Sequence, residues 1–153
     1  MTVRIMVKQA QSSSFIDKVI ERSELDSEYD AKRASYIVFR IMRDMMLNKT
    51  SDSIEADLKE NAPESEQDVV ELWHDPNVMV AFFSRISPVQ DLHIKPGTFM
   101  LRLRQEGALP EGVSAENVTQ AVFSATKEIL PPERNKEIEN ILAGELRDLW
   151  AQA

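Results

Sequence analysis

There is no cysteine in this chain of 153 residues. That absence excludes a disulfide framework, a thiolate zinc site, an iron–sulfur cluster and a cysteine nucleophile. Glycine is scarce, with four residues at positions 97, 107, 112 and 144, and neither glycine nor proline occurs before Pro63. Long stretches free of these breakers favour helices. No apolar run approaches the ~18 residues a membrane span needs. The N-terminus lacks the apolar stretch of a signal peptide. Positive charge is in the minority, with 18 Lys+Arg against 26 Asp+Glu and a net charge of -8, which argues against a general nucleic-acid or anionic-membrane binder. Also missing are a Gly-Lys-Ser/Thr phosphate loop, a Gly-x-Ser-x-Gly elbow, a His-Glu-x-x-His helix and a calcium loop. These absences leave a compact cytoplasmic domain with no membrane segment and no cofactor or metal site as the expectation.

The residues that are present, 42% of them apolar, suffice for a packed core. Residues 1–13 show no helical stripe and read as a flexible tail. Ser14 reads as the N-cap of a helix from Phe15 to about Ser23, with Phe15, Ile16, Val19 and Ile20 on one side. The second helix is capped by Asp30 and carries Ala34, Ile37, Val38, Ile41, Met42 and Met45 at helical spacing. Phe39 and Met46 widen that stripe, while Arg33, Tyr36, Arg40 and Arg43 fill the other side. A helix apolar over so much of its girth is central. A third helix is expected from Ser51 or Asp52 to about Glu60, then an acidic loop from Asn61 to Asp68, then a short Val69–Trp73 segment. Asp75-Pro76 starts a linker helix with Met79, Phe82, Phe83 and Ile86 on one face.

Shifted by 84 residues, the chain matches itself. Ser14 falls on Thr98, Phe15 on Phe99, Asp30 on Ser114, Val38-Phe39 on Val122-Phe123, and Ile54 and Leu58 on Ile138 and Leu142. Leu72-Trp73 matches Leu149-Trp150 at a shift of 77. Self-similarity of this kind is the mark of duplication. It implies a structural core of Phe15, Phe39, Trp73, Phe99, Phe123 and Trp150, with Phe39 and Phe123 facing the junction between repeats. In the second half Thr98 reads as a cap for a helix that Gly107 ends in left-handed geometry. Ser114 caps the next helix. Pro131-Pro132 starts a last apolar helix that Gly144 interrupts before Trp150. The expected fold is all-α: a helical bundle of two similar helical repeats at 14–74 and 98–153, joined by a linker helix and loop at 75–97.

The Phe-led first helix, the Ala/Val-rich central helix, the Ile- and Leu-bearing third helix and the closing Glu145-Leu-Arg-Asp-Leu-Trp150 resemble the bacterial proteins of domain of unknown function 2267. That resemblance implies a tandem helical repeat over about Ser14 to Trp150. The family has no established activity, so the resemblance leaves the chemistry blank.

Candidate sites are few. His74 and His93 are the only histidines, and an exposed or capping role outweighs an acid–base or metal role for each. Glu64, Glu66 and Asp68 read as a solvated acidic loop ahead of a metal cage. Met42, Met45 and Met46 read as core ahead of a partner groove. Arg33, Tyr36, Arg40 and Arg43 form a basic stripe suited to an acidic partner or a phosphate, although pairing with neighbouring acids is the plainer reading. Phe82 and Phe83 supply an apolar face that packs internally or mediates self-association. The functional expectation is a non-enzymatic interaction or scaffold module that binds a protein partner or a second copy, not nucleic acid. Its rival is a small-ligand or metal-dependent enzyme with a pocket between the repeats.

Overall fold

The computed structural model describes residues 13–74 and 94–153. The tail and the linker helix with Met79, Phe82, Phe83 and Ile86 fall outside the described residues, as does His93. The fold is all-helical, and among the described residues there is no strand. Among the described residues four helices end before residue 74: α1 (Phe15–Arg22), α2 (Glu28–Asp44), α3 (Asn48–Asn61) and α4 (Asp68–Trp73), with a 3-10 turn at Glu64–Glu66 before the last. Four follow residue 94: α5 (Pro96–Glu106), α6 (Ala115–Lys127), α7 (Pro132–Ile141) and α8 (Glu145–Gln152).

Capping explains why α1, only eight residues long, holds together. The Ser14 hydroxyl accepts the Asp17 amide at 3.0 Å, and the Asp17 carboxylate accepts the Ser14 amide at 3.1 Å, a reciprocal capping box. The two remaining free amides, on Phe15 and Ile16, donate to the Asp68 carboxylate at 3.0 and 3.1 Å. One carboxylate 53 residues away therefore completes the helix start. Replacing Asp68 with alanine should cost about 1–2 kcal/mol, read as a lower urea midpoint at constant m-value. A midpoint equal to that of the parent would show that water replaces the carboxylate without loss.

Three helix starts differ from the sequence expectation. Ser27, not Asp30, caps α2: its hydroxyl accepts the Asp30 amide, and Asp30 lies in the first turn, where its charge favours the positive helix end. The third helix begins at Asn48 with no side-chain cap. The fifth begins at Pro96, with Thr98 inside it, because proline needs no amide partner in the first turn. Its end also differs. Gly107 is right-handed, and the residue of positive φ is Ala108 at 49°. The amides of Ala108 and Leu109 close back on the carbonyls of Gln105 and Arg104, which is the Schellman pattern. Glycine is required at 107 for a different reason, since a Cβ there would stand 2.5 Å from the Leu103 carbonyl oxygen. Gly144, with φ at 56°, separates α7 from α8.

The core lies on α2 and α6. Phe39 is fully buried between Phe15 and Trp73, with ring centroids 5.8 and 5.1 Å away. Phe123 is held in the same way between Phe99 and Trp150, at 6.4 and 5.1 Å. Each ring is thus the filling between a first-helix phenylalanine and a closing tryptophan of its own half of the sequence. Each tryptophan is fixed at three more points. The Trp73 indole N–H donates to the Ser51 carbonyl and that of Trp150 to the Asn135 carbonyl, 3.1 and 3.2 Å. Arg43 lies over the Trp73 ring and donates to its backbone carbonyl; Lys127 does both for Trp150. Met42, Met45 and Met46 are buried in the same core.

Each first helix packs on both central helices: α1 on α2 and α6, α5 on α6 and α2, with α2 meeting α6 between them. The ion pairs are reciprocal. Lys18 of α1 meets Glu128 at 3.2 Å, and Arg102 of α5 meets Asp44 at 3.0 Å.

Candidate functional site

Along the outer side of α2 runs a cleft of about 750 Å³. One wall carries Tyr29, Lys32, Arg33, Tyr36, Ile37 and Arg40; Asp68, Glu71 and Leu72 of α4 form the other, and Glu106 of α5 completes the lining. The helical spacing of α2 puts its six lining residues on one face. Ile37 and Leu72 give the cleft apolar surface, and Tyr29 is 71% exposed at its rim.

The charges in the cleft are unequally satisfied. Asp68 is held by the α1 amides, Lys32 by Glu28 at 3.0 Å, and the Glu106 carboxylate by Arg102 at 2.9 Å. Arg33 donates to the Glu106 backbone carbonyl at 3.1 Å. Arg40 is half-buried and meets no carboxylate among the described residues. Across from it Glu71 is exposed and likewise unpaired among them.

Three of the four stripe residues thus come together in the cleft. The fourth, Arg43, is committed to Trp73. The other wall, from Glu71 and Leu72, carries no signature in the sequence beyond a short helical segment. Phe82 and Phe83, the remaining candidates, lie outside the described residues.

In the acidic stretch Glu64 is exposed, as expected of a solvated loop, but Glu66 and Asp68 are not free in solvent. Glu66 is 5% exposed and takes the Lys18 ammonium at 3.0 Å, while Asp68 caps α1. Lys18 in turn bridges to Glu128, which also accepts Arg22 at 2.7 Å, and Arg22 reaches the Ser124 hydroxyl at 2.8 Å. Burial presses the Lys18 pKa down, but the hydrogen bonds and charges of Glu66 and Glu128 outweigh it and hold the ammonium above its ordinary value. Burial pushes Glu128 up, and Arg22 and Lys18 more than reverse this, holding it below the usual glutamate value. The network ties α1 to the end of α6.

His74 pairs through Nδ1 with Glu55 at 3.0 Å on an exposed surface. No group of three or more histidines and carboxylates able to hold a metal ion occurs among the described residues. No helix among them is long and apolar enough to cross a membrane.

No protein of curated function matches the chain. The model of an uncharacterized conserved protein family, DUF2267, matches residues 12–149. With residues 12–149 covered, the chain belongs to the DUF2267 family.

Proposed function

We propose that this chain is a non-enzymatic protein-interaction module, built from a duplicated four-helix unit, whose binding face is the cleft along α2. The observation that carries the reading is a difference between positions 84 residues apart. On α6 the stripe is Asn117, Gln120 and Ser124. Asn117 accepts the Glu24 amide and Ser124 accepts Arg22, both at 2.8 Å, so short polar residues there seat α1. On α2 the same register carries Arg33, Tyr36 and Arg40, lining a cleft. Long side chains that packing does not demand, gathered on a concave surface, favour recognition. The absence of cysteine and the acidic net charge suit a cytoplasmic setting.

A photo-crosslinking amino acid at position 36 tests this. It should trap a defined protein partner in cells, whereas the same group at Lys136, on the opposite group, should not. The trap should fail when Arg33→Asn and Arg40→Ser are added with the melting temperature unchanged. Equal trapping from both positions would overturn the reading. The lining of the cleft, which includes Glu106 of α5, also fits the rival reading of a small-ligand site between the repeats.

A further inference from the structure

We infer that the cleft along α2 recognises a carboxylate presented beside apolar side chains on an extended peptide segment of a partner protein; this rests on the cleft being the binding face. Three observations converge. Arg40 is half-buried and meets no carboxylate among the described residues, although it lines the cleft. A guanidinium partly removed from water gains most from a carboxylate, which it can grip through two parallel N–H donors. Its neighbours Ile37, Leu72 and Tyr36 offer apolar area beside that charge, which suits a carboxylate flanked by apolar groups and disfavours a bare inorganic anion. The extent of the cleft points to a peptide. From Tyr29 to Arg40 the lining residues cover about 16 Å of helix, the length of about five extended residues, so a single small acid would leave most of it empty.

Glu71 sharpens the proposal. It is exposed on the opposite wall, so water already solvates it, and its charge opposes an incoming carboxylate. Removing Arg40 and removing Glu71 should therefore act in opposite directions.

The experiment is a titration of the full chain, followed by backbone amide NMR shifts, with the probe acetyl-Leu-Glu-Leu-Phe-amide, its Gln counterpart and 4-phenylbutyrate. The glutamate peptide should shift amides of α2 and α4, and the Gln peptide should bind about tenfold more weakly, the difference between a charge-assisted and a neutral contact. Arg40→Gln should erase that preference, Arg40→Lys should restore part of it, and Glu71→Gln should tighten the glutamate peptide a few-fold. Unchanged circular dichroism and melting temperature in each variant keep these readings free of misfolding. Equal binding of both peptides, indifferent to Arg40, overturns the carboxylate inference while leaving the cleft as a binding face. Binding of phenylbutyrate without the peptides overturns the peptide part. Absence of any cleft shift overturns the whole inference, and crosslinking from position 36 then decides independently whether the cleft binds a protein.

Discussion

Replacing Trp73 or Trp150 with alanine will lower unfolding free energy by about 3–5 kcal/mol in each case. Both indoles are almost completely buried, both stand edge-on to a phenylalanine at 5.1 Å, and both donate their N–H to a backbone carbonyl. Truncation opens a cavity, removes an aromatic pair worth about 0.5–1.5 kcal/mol beyond its area, and removes the indole hydrogen bond to the Ser51 or Asn135 carbonyl. It also strips Arg43 or Lys127 of the ring beneath it. Because the surroundings are alike, the two losses should agree to within about 1 kcal/mol, the scatter expected of similar sites. Urea titration followed by circular dichroism at 222 nm measures this. A small loss at one tryptophan and a large one at the other would mean that only one group depends on its aromatic column. Phenylalanine at either position should recover more than half of the loss, since it keeps most of the burial and gives up the hydrogen bond.

The second large effect is expected at Lys18. Its ammonium is the one partner of the buried Glu66 carboxylate among the described residues; the other oxygen, Oε1, has none. Lys18→Met should cost about 2–3 kcal/mol, the lower edge of what breaking a buried ion pair costs, because the lysine side chain keeps 24% of its surface in water. Changing both residues, as in Lys18→Met with Glu66→Met, should regain most of the loss, since no buried charge is then left alone. A double variant no better than the single would place the loss in packing and not in charge. The pH dependence has a definite sign. Glu128 titrates below its ordinary value of 4.5, so its contribution is present above that value and disappears as pH falls through the lowered one. Lys18 titrates above 10.5, so its contribution is complete below 10.5 and disappears as pH rises through the raised value. The gap between the parent and Lys18→Met should be widest near neutrality and close on both flanks.

Helices and core were legible in the sequence wherever a residue's partners lie on its own helix or at the matching shift. Ser14, Ser114 and the three aromatics of each group are of that kind. Ser27 was hidden because Asp30 is an equally good capping residue, and only the turn before α2 decides between them. Glu66 and Asp68 were legible as charges but not as structure, since Lys18 and the Phe15 amide lie 48 and 53 residues away. In the candidate site, helical spacing placed Arg33, Tyr36 and Arg40 together. It could not separate Arg43 from them, because the tryptophan that claims Arg43 is 30 residues further on. Nor could it supply the α4 wall, which exists only once α4 folds back along α2.

The packing of α1 against α6, in addition to α2, bears on how the chain is made. The partners of Lys18 and Arg22 on the second group lie 110 and 102 residues downstream. At about 5–20 residues per second of synthesis, α1 waits roughly 5–20 s on the ribosome before its covering surface emerges. Aromatic contacts within the first group need only Trp73 and can form early. The side of α1 that later meets α6 stays open throughout that interval, and it is there that a nascent-chain chaperone would find its hold.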